Sequence, residues 1–461
     1  MKNIKLLMLL AIAIYLGGCS KTYDEKTGLS DANSTKSNLK ASIISGSGSF
    51  TVLSYNVAGL PQALSSASDR AAYTPIIGQK VSNYDIVNVQ EDFNYHAALY
   101  ANDTHPYRTA TSGGAGIGSG LNTMSNFPFS DDIDRVQWSS CNGTDCLTPK
   151  GFTWLRMRIA EGVYIDVYNL HPNAGTADAD LSARRSNIDQ LVSYIQTNSA
   201  GNAILIFGDT NDRYTRTGDN IRDILTGTGA LDSWVQLIKG GIPPALGSGD
   251  LVCADTSVIL TSDFSCEVVD KIFYRSNKFI TLTPLVYTLE DAMFRTSNGY
   301  MLSDHRPAYT KFKYTLASNL SFSDQFGGPH GTSYNDANSL PDSPKVSSIG
   351  IKTGSRVDQV NLTLSNGTTF THGGTGGTAN SLTLQSGEYV TSVYMCSGSY
   401  SGHTRVFYIK FTTNLGRTLG GGSATSTSVT YTAPSGWQIV GFHGRCGDEL
   451  DKMGVIYAPV K

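Results

Sequence analysis

The chain has 461 residues, 40% of them hydrophobic, enough apolar content to bury two cores. Its formal net charge is −3 and no basic block interrupts it. That argues against tight nucleic-acid binding, which needs a positive footprint.

In chain order, residues 1–19 read as a targeting segment and not as part of the fold. Lys2 and Lys5 precede an apolar run, residues 6–16, that is too short to span a bilayer, and Leu16-Gly17-Gly18-Cys19 closes it. This ending resembles the bacterial lipoprotein signal, which implies lipidation of Cys19 and export to an outer membrane or cell surface. Residues 20–48, rich at first in Ser, Thr, Lys, Asp and Asn, read as a flexible tether.

Residues 50–55 alternate as a strand and end at Asn56. Residues 85–89 form another, ending at Gln90, Glu91 and Asp92, and residues 163–170 a third, ending at His171. Residues 203–207 have the length and uniform apolarity of a strand buried on both faces; Gly208 then gives way to Asp209, Asn211 and Asp212. Polar groups at the carboxyl end of a central strand are where α/β sheets place ligands and chemistry. Ile188, Leu191, Val192 and Ile195 recur at helical spacing, so residues 183–197 predict an amphipathic helix against a sheet. Asp270 lies in the strand-like run 268–274, and Ser303-Asp304-His305-Arg306-Pro307 precedes a last strand, 308–314.

Cysteine usage agrees with export. Cys141 and Cys146, like Cys253 and Cys266, are close enough to suggest local disulfides, leaving Cys396 and Cys446 to pair; spacing does not fix connectivity. No pair has the short spacing with nearby His that zinc favours. After residue 314, Gly, Ser and Thr become dense and charge thins. Short alternating runs at 346–351, 359–364, 381–384, 389–394, 406–412, 428–431, 438–442 and 453–457 predict an all-β sandwich, barrel or prism.

Asn56, Gln90-Glu91, His171, Gly208-Asp209-x-Asn211, Asp270 and Ser303-Asp304-His305 stand in the order of the endonuclease/exonuclease/phosphatase superfamily, and residues 49–315 resemble it. Its members include deoxyribonuclease I, neutral sphingomyelinases and inositol-polyphosphate 5-phosphatases. The resemblance implies a DNase I-like four-layer α/β sandwich and a phosphoester hydrolase dependent on Mg²⁺, with Mn²⁺ or Ca²⁺ as alternatives. Such chemistry needs a metal against the phosphoryl oxygens, an activated water and help for the leaving oxygen. A hard cation is met by a few carboxylate and amide oxygens.

By this resemblance Glu91 is the metal ligand, with Asn56 beside it and Asp304 contributing. Asp209 and Asn211 hold the attacking water and the phosphate. His305 is the general base, oriented by Asp270, a task suited to an imidazole near neutral pH. His171 hydrogen-bonds the phosphoryl group or the leaving group. Residues 145–152, containing Lys150-Gly151, and Gln90-Glu91-Asp92-Phe93 resemble sphingomyelinases more than nucleases, which makes Lys150 a candidate phosphate contact. With the negative charge balance, a lipid phosphodiester is expected before DNA; an extracellular nuclease and a phosphoinositide or sugar-phosphate phosphatase are the alternatives. No long amphipathic or aromatic hairpin suited to entering a bilayer stands out. His96, His105, His330, His372, His403 and His443 match none of these motifs and read as surface or packing residues.

Phe326-Gly327-Gly328, His372-Gly373-Gly374-Thr375-Gly376-Gly377, Gly387-Glu388-Tyr389-Val390, Phe411-Thr412-Thr413-Asn414 and Gly441-Phe442-His443-Gly444-Arg445-Cys446-Gly447 make residues 316–461 similar to jacalin-type lectins. This implies a β-prism of three four-stranded sheets. It also implies a sugar site between an early Gly-rich loop, Gly327 and Gly328, and the late loop Gly447-Asp448-Glu449-Leu450-Asp451. Asp451 would accept hydrogen bonds from vicinal hydroxyls while the backbone N–H groups of Asp448 and Glu449 donate. Cys446 and Pro329-His330 depart from the family pattern. The whole chain then reads as a monomeric, lipid-anchored phosphodiesterase that its lectin concentrates on glycosylated surfaces. A catalytically silent carbohydrate-binding adhesin is the alternative from another class.

Overall fold

Alternation along the strand Ser47–Asn56 shows how one segment serves two layers. Successive side chains point to opposite faces of a sheet. Phe50 and Val52 join the main core, while Leu53 and Tyr55 join a second core with Ile77 and Leu99 of the helices Arg70–Val81 and His96–Asn102. The computed structural model describes residues 37–40, 46–65, 67–112, 118–248, 253 and 265–461. The leader 1–19, Cys19 and most of the tether 20–48 lie outside them.

Two six-stranded sheets carry the first part of the chain. One runs Leu231–Asp232, Asp270–Arg275, Ala203–Asp209, Val163–Leu170, Gly151–Ala160, Asp134–Gln137. The other runs Ile280–Leu289, Ala308–Leu316, Ser47–Asn56, Ile86–Gln90, Asn122–Ser125, Tyr107–Arg108. The helix predicted at 183–197 extends over Asp178–Asn198, because the Asp180 carboxylate accepts the Ala177 N–H and adds a first turn. Its Ile188, Leu191 and Ile195 are buried against the first sheet. Helix, sheet, sheet, helix is the DNase I-like sandwich.

Amides stitch the two sheets together. Asn88 Nδ2 donates to the carbonyls of Tyr168 and Phe207 across the gap, both at 3.0 Å. Asn169 Nδ2 donates back to Val89 O at 3.0 Å and Asn122 O at 3.1 Å, and Gln90 Nε2 reaches Asn169 Oδ1 at 2.8 Å. All three are fully buried, so each bond carries the full penalty of an unmet polar group if the sheets slip.

The remainder is a β-prism. A four-stranded sheet (Thr369–Gly373, Val357–Leu364, Val346–Thr353, Thr378–Thr383) accompanies two larger ones built around Val390–Tyr400 with His403–Thr413 and around Trp437–Cys446 with Leu450–Pro459. Ser37–Lys40, within the expected tether, is instead a strand pairing in parallel with Thr427–Thr432.

Residues 36–461 form one compact unit, and a single hydrophobic core runs through sandwich and prism. Phe279 stacks on Phe322 at 4.3 Å, and Arg158 pairs with Asp324 through two 2.8 Å bonds. Asp131 is buried between Lys452 and Arg445, and Arg445 lies over the Trp154 ring. Burial opposes charge on Asp131, but Lys452, Arg156 and Arg445 outweigh it and hold its carboxyl below the usual range.

The expected pairing of Cys396 with Cys446 is not formed; both are free thiols, whereas Cys141–Cys146 and Cys253–Cys266 are disulfides. Cys396 lies opposite Tyr408 and Ser428 in one prism sheet, its thiol against Tyr394 Oη at 3.2 Å. Cys446 lies opposite Thr332 in another sheet. The ladders of separate sheets pin the two apart. Alkylation of the unfolded, unreduced protein lacking residues 1–19 will label two cysteines, read by mass spectrometry.

Asp131→Ala will lower unfolding stability by about 3–5 kcal/mol, since it strands two buried cations. A folded-state pKa held down contributes stability above the unfolded value of about 3.9, lost as pH falls through the folded value. Acid unfolding curves of the wild type will therefore show a component below about pH 4. Asp131→Asn will lack it.

Candidate active site

The site forms where the carboxyl ends of the two sheets' central strands meet. Asp209 closes the fully buried strand Ala203–Asp209, and register sets it directly opposite Asp270 on the antiparallel neighbour. Gly208 is required before it, because an added Cβ would stand 2.3 Å from Leu170 O. Asn56 and Gln90 end the parallel pair in the other sheet, side by side in register.

Asn56 reaches across the seam. Its Nδ2 lies 3.1 Å from both Glu91 Oε1 and Asp209 Oδ2, and 3.4 Å from His305 Nε2. Its oxygen accepts the Ala58 N–H at 3.0 Å. Asn56 therefore presents its N–H groups, not its oxygen, to the carboxylates. It stands as a bridging donor, and the ligand role expected for it does not follow from this geometry. Ser303 Oγ fixes the same turn by donating to Asn56 O at 2.6 Å.

His305 Nδ1 meets Asp270 Oδ2 at 2.9 Å, and its Nε2 is 3.6 Å from Asp209 Oδ2. Burial opposes charge on this ring, but Asp270 and Asp209 more than offset it and hold its pKa well above the histidine value. Burial pushes Asp270 up to about 6 against the pull of His305. Burial works the same way on Asp209, yet His305, His171 and the Asn211 N–H bring it down to about 2. Burial also raises Glu91, against the Asn56 hydrogen bond and the charges of His305 and Lys150.

His171 is buried, its Nε2 3.4 Å from Asp209 and 3.1 Å from Lys150 Nζ. Burial first, then Lys150, lowers its pKa to about 3, so the ring is neutral. Lys150 is held in turn by Asp145 at 2.5 Å. Asn211, at φ 49°, donates its backbone N–H to Asp209 Oδ1 at 2.9 Å and its Nδ2 to Pro172 O at 3.2 Å. Glu91 also sits at positive φ, 55°, a conformation unfavourable for its side chain and tolerated at over-determined sites. Asp304 is exposed at the rim, beside Ser303 Oγ at 3.3 Å.

A cavity of about 660 Å³ opens onto His305, Asp270 and Asp304, with Tyr73, Tyr300 and Arg213 on its walls. Asp209, Asp270 and His305 bring ligand atoms within 4.8 Å of one another, a possible cation site. Asp270 Oδ1 is buried without a hydrogen-bond partner, and Glu91 is a half-buried carboxylate. Both observations fit a hard divalent cation.

The structure thus gathers Asn56, Glu91, Asp209, Asn211, Asp270, His171, His305 and Lys150. Asp145 and the tyrosines of the cavity were given no role from sequence, and Ser303 stood there only within the Ser303-Asp304-His305 motif; the spacing of Asp145 to Lys150 across the Cys141–Cys146 clip was the available signal for the first. Of the other histidines, His105 is buried on Asp103, His96 pairs with Asp92, His372 stacks on Tyr334, and His443 is buried against Ser323 O.

In the prism, an added Cβ on Gly327 would lie 2.1 Å from Asp451 O, and one on Gly328 2.2 Å from Thr404 O, so glycine is needed at both. Gly447 and Asp448 are exposed. Glu449 pairs with Arg356 at 2.5 and 2.7 Å and with Arg405 at 3.3 Å. The Asp451 side chain is 3% exposed, its Oδ1 3.7 Å from Arg405, and burial raises its pKa.

Residues 46–241 match the model of endonuclease/exonuclease/phosphatase family 2, and residues 323–456 that of the jacalin-like lectin domain. The C-terminal domain belongs to the jacalin-like lectin family, and the first domain is similar to endonuclease/exonuclease/phosphatase family 2 over the residues matched. It is 38% identical over 283 residues to a sphingomyelinase of Mycobacterium tuberculosis, covering 60% of this chain and 54% of the relative. The chain thus spans about half the length of the mycobacterial sphingomyelinases it matches. It is 30% identical over 138 residues to horcolin of Hordeum vulgare, covering 29% of this chain and 93% of horcolin. A Staphylococcus aureus beta toxin mutant, solved with bound magnesium ions, aligns at 16% identity and TM-score 0.39, covering 59% of this chain and 100% of the toxin.

In protein stripped of divalent cations with EDTA, ring ¹⁵N NMR will find His171 neutral from pH 8 down to about pH 5. His305 will still be charged at about pH 7.5, where an unperturbed histidine is not.

Proposed function

We propose that the chain is an Mg²⁺-dependent phosphodiesterase of the sphingomyelinase kind, brought to glycosylated surfaces by its lectin domain. The observation that carries this reading is the clustering of His305–Asp270, Asp209, His171 and Glu91 through contacts of 2.9–3.6 Å, with His305 and Asp270 opening onto the cavity. The 38% identity to sphingomyelinases supports the lipid phosphodiester over DNA, as does the net charge of −3. The leader pattern at residues 1–19 supports export and lipidation at Cys19; the tether would leave the compact unit near the membrane that carries the lipid.

Glu91, with Asp209 beside it, would hold the cation. When bound, the cation neutralises phosphoryl oxygens and polarises the phosphorus centre. The chain's own groups do the rest. Asp270 fixes the His305 ring through Nδ1, so that Nε2 faces Asp209; the positive charge of a bound cation would oppose the proton that the carboxylates hold on this ring, and the neutral ring can then take a proton from a water held there. Asn56 and the Asn211 N–H keep Asp209 ionised and oriented. His171, neutral and close to Lys150, hydrogen-bonds a phosphoryl or leaving oxygen without adding a second charge. Lys150 supplies positive charge to the phosphate.

The test uses the protein lacking residues 1–19 with sphingomyelin vesicles, plasmid DNA and phosphoinositides, with and without Mg²⁺. Phosphocholine release that needs the metal and falls about 10²–10⁴-fold in His305→Ala is expected. Plasmid nicking with the same dependence would make it a nuclease. No turnover of any of the three, with folding and glycan binding intact, would favour the adhesin.

A further inference from the structure

The cavity extends to one side of the catalytic cluster. His305, Asp270 and Asp304 line it, whereas His171 and Lys150 do not. In-line displacement at phosphorus puts the attacking water and the leaving oxygen at opposite poles. With the water on the His305 side and the leaving oxygen on the His171 side, the cavity lies away from the departing group. It is the space for what stays on phosphorus. Its volume, about 660 Å³, is that of a small-molecule site.

Two further segments supply walls to this cavity and are tied to each other. Residues 67–73 lead into the helix Arg70–Val81, and Tyr300 and Met301 belong to a tight turn in which Met301 bridges back to Arg295. Arg70 is fully buried; its guanidinium donates to Ser68 O at 3.1 and 3.2 Å, to Leu302 O, and to Val57 O at 2.7 Å, next to Asn56. The walls are therefore set relative to the catalytic groups before a ligand arrives.

Those walls offer rings and carboxylates. Tyr300 is 55% exposed, so a ligand can reach its ring. The Arg70 guanidinium lies 5.7 Å from the Tyr73 ring, and Asp304 offsets its charge. Asp69 stands at the N-cap of the helix with φ 44°, a left-handed backbone that a non-glycine residue adopts at a cost. An N-cap aspartate ordinarily accepts an N–H of the first turn. Asp69 makes no such bond, and its carboxylate has no partner among the described residues. The cations of the wall are engaged: Arg306 pairs with Asp291, and Arg213 donates to Glu267 O at 2.9 Å. Aromatic faces beside an uncompensated carboxylate suit a cation with no N–H of its own, a quaternary ammonium.

We propose that this cavity selects a quaternary ammonium headgroup, with Tyr73 and Tyr300 as its aromatic surfaces and Asp69 as its counter-charge. The inference rests on the sphingomyelinase reading and adds the residues that choose between headgroups. In a choline lipid the trimethylammonium group stays on the phosphate when the bond to the lipid alcohol breaks. The cavity would therefore hold it in the substrate and in the phosphocholine product alike.

Turnover by the protein lacking residues 1–19 is measured with Mg²⁺ on sphingomyelin and on ceramide phosphoethanolamine, each diluted into the same detergent micelles. The wild type is expected to favour sphingomyelin in kcat/KM by about tenfold or more. Tyr73→Leu, Tyr300→Leu and Asp69→Asn should each lower that preference about three- to tenfold, while Tyr73→Phe, which keeps the ring, retains it. Free phosphocholine should inhibit more strongly than phosphoethanolamine and lose that advantage in the same variants, which assigns the effect to the headgroup and not to the lipid tails. Unfolding midpoints confirm that each variant folds. Equal slowing of both lipids by the three variants would overturn the assignment, because a fold or micelle-contact defect does not read the headgroup. So would a wild type indifferent to the headgroup, and either result leaves the sphingomyelinase reading standing. No turnover of either lipid by the wild type would overturn both.

Discussion

Everything at the active site depends on two sheets keeping one alignment. Asn88, Gln90 and Asn169 cross the gap between them with bonds of 2.8–3.1 Å, all three side chains fully buried. Apolar packing alone would tolerate a small slide, because dispersion is non-directional. An amide is not tolerant in this way: a slide of one residue would leave several buried donors and acceptors unmet. Asn56 can therefore reach Asp209 from the other sheet at 3.1 Å, and Glu91 can belong to the same cluster.

The alignment brings together charges that would otherwise repel. Asp209 and Asp270 oppose each other in register, with Glu91 one amide away. His305, Lys150 and the N–H groups of Asn56 and Asn211 supply the compensation in the protein itself. The result is a polarised site: a strongly acidic Asp209, an Asp270 raised by burial, a histidine held charged and another held neutral. Two imidazoles near one carboxylate thus differ in protonation because one faces Asp270 and the other faces Lys150. Different roles for the two rings follow from those neighbours.

The prism is joined to this machinery as a continuation of its core. Phe279 on Phe322, Arg158 on Asp324, and Asp131 between Lys452 and Arg445 fix its orientation. A lectin on a flexible linker raises local concentration only. One fixed in place also sets the angle at which the catalytic cavity meets a surface to which the lectin is bound.

The sequence itself determined the kinds of element and much of the site. Strand ends carrying Asn56, Glu91, His171 and Asp209 were legible because polar residues interrupt uniformly apolar runs, and Gly-dense alternation announced the prism. Local disulfides were legible because a short loop leaves its cysteines close. Contacts between distant segments were decided only by the tertiary structure. It separated Cys396 from Cys446 by placing them in different sheets, made a strand of Ser37–Lys40, and turned the Asn56 amide so that it bridges carboxylates. Each depends on which backbone groups are already satisfied by a ladder, a property of paired strands that no single segment carries.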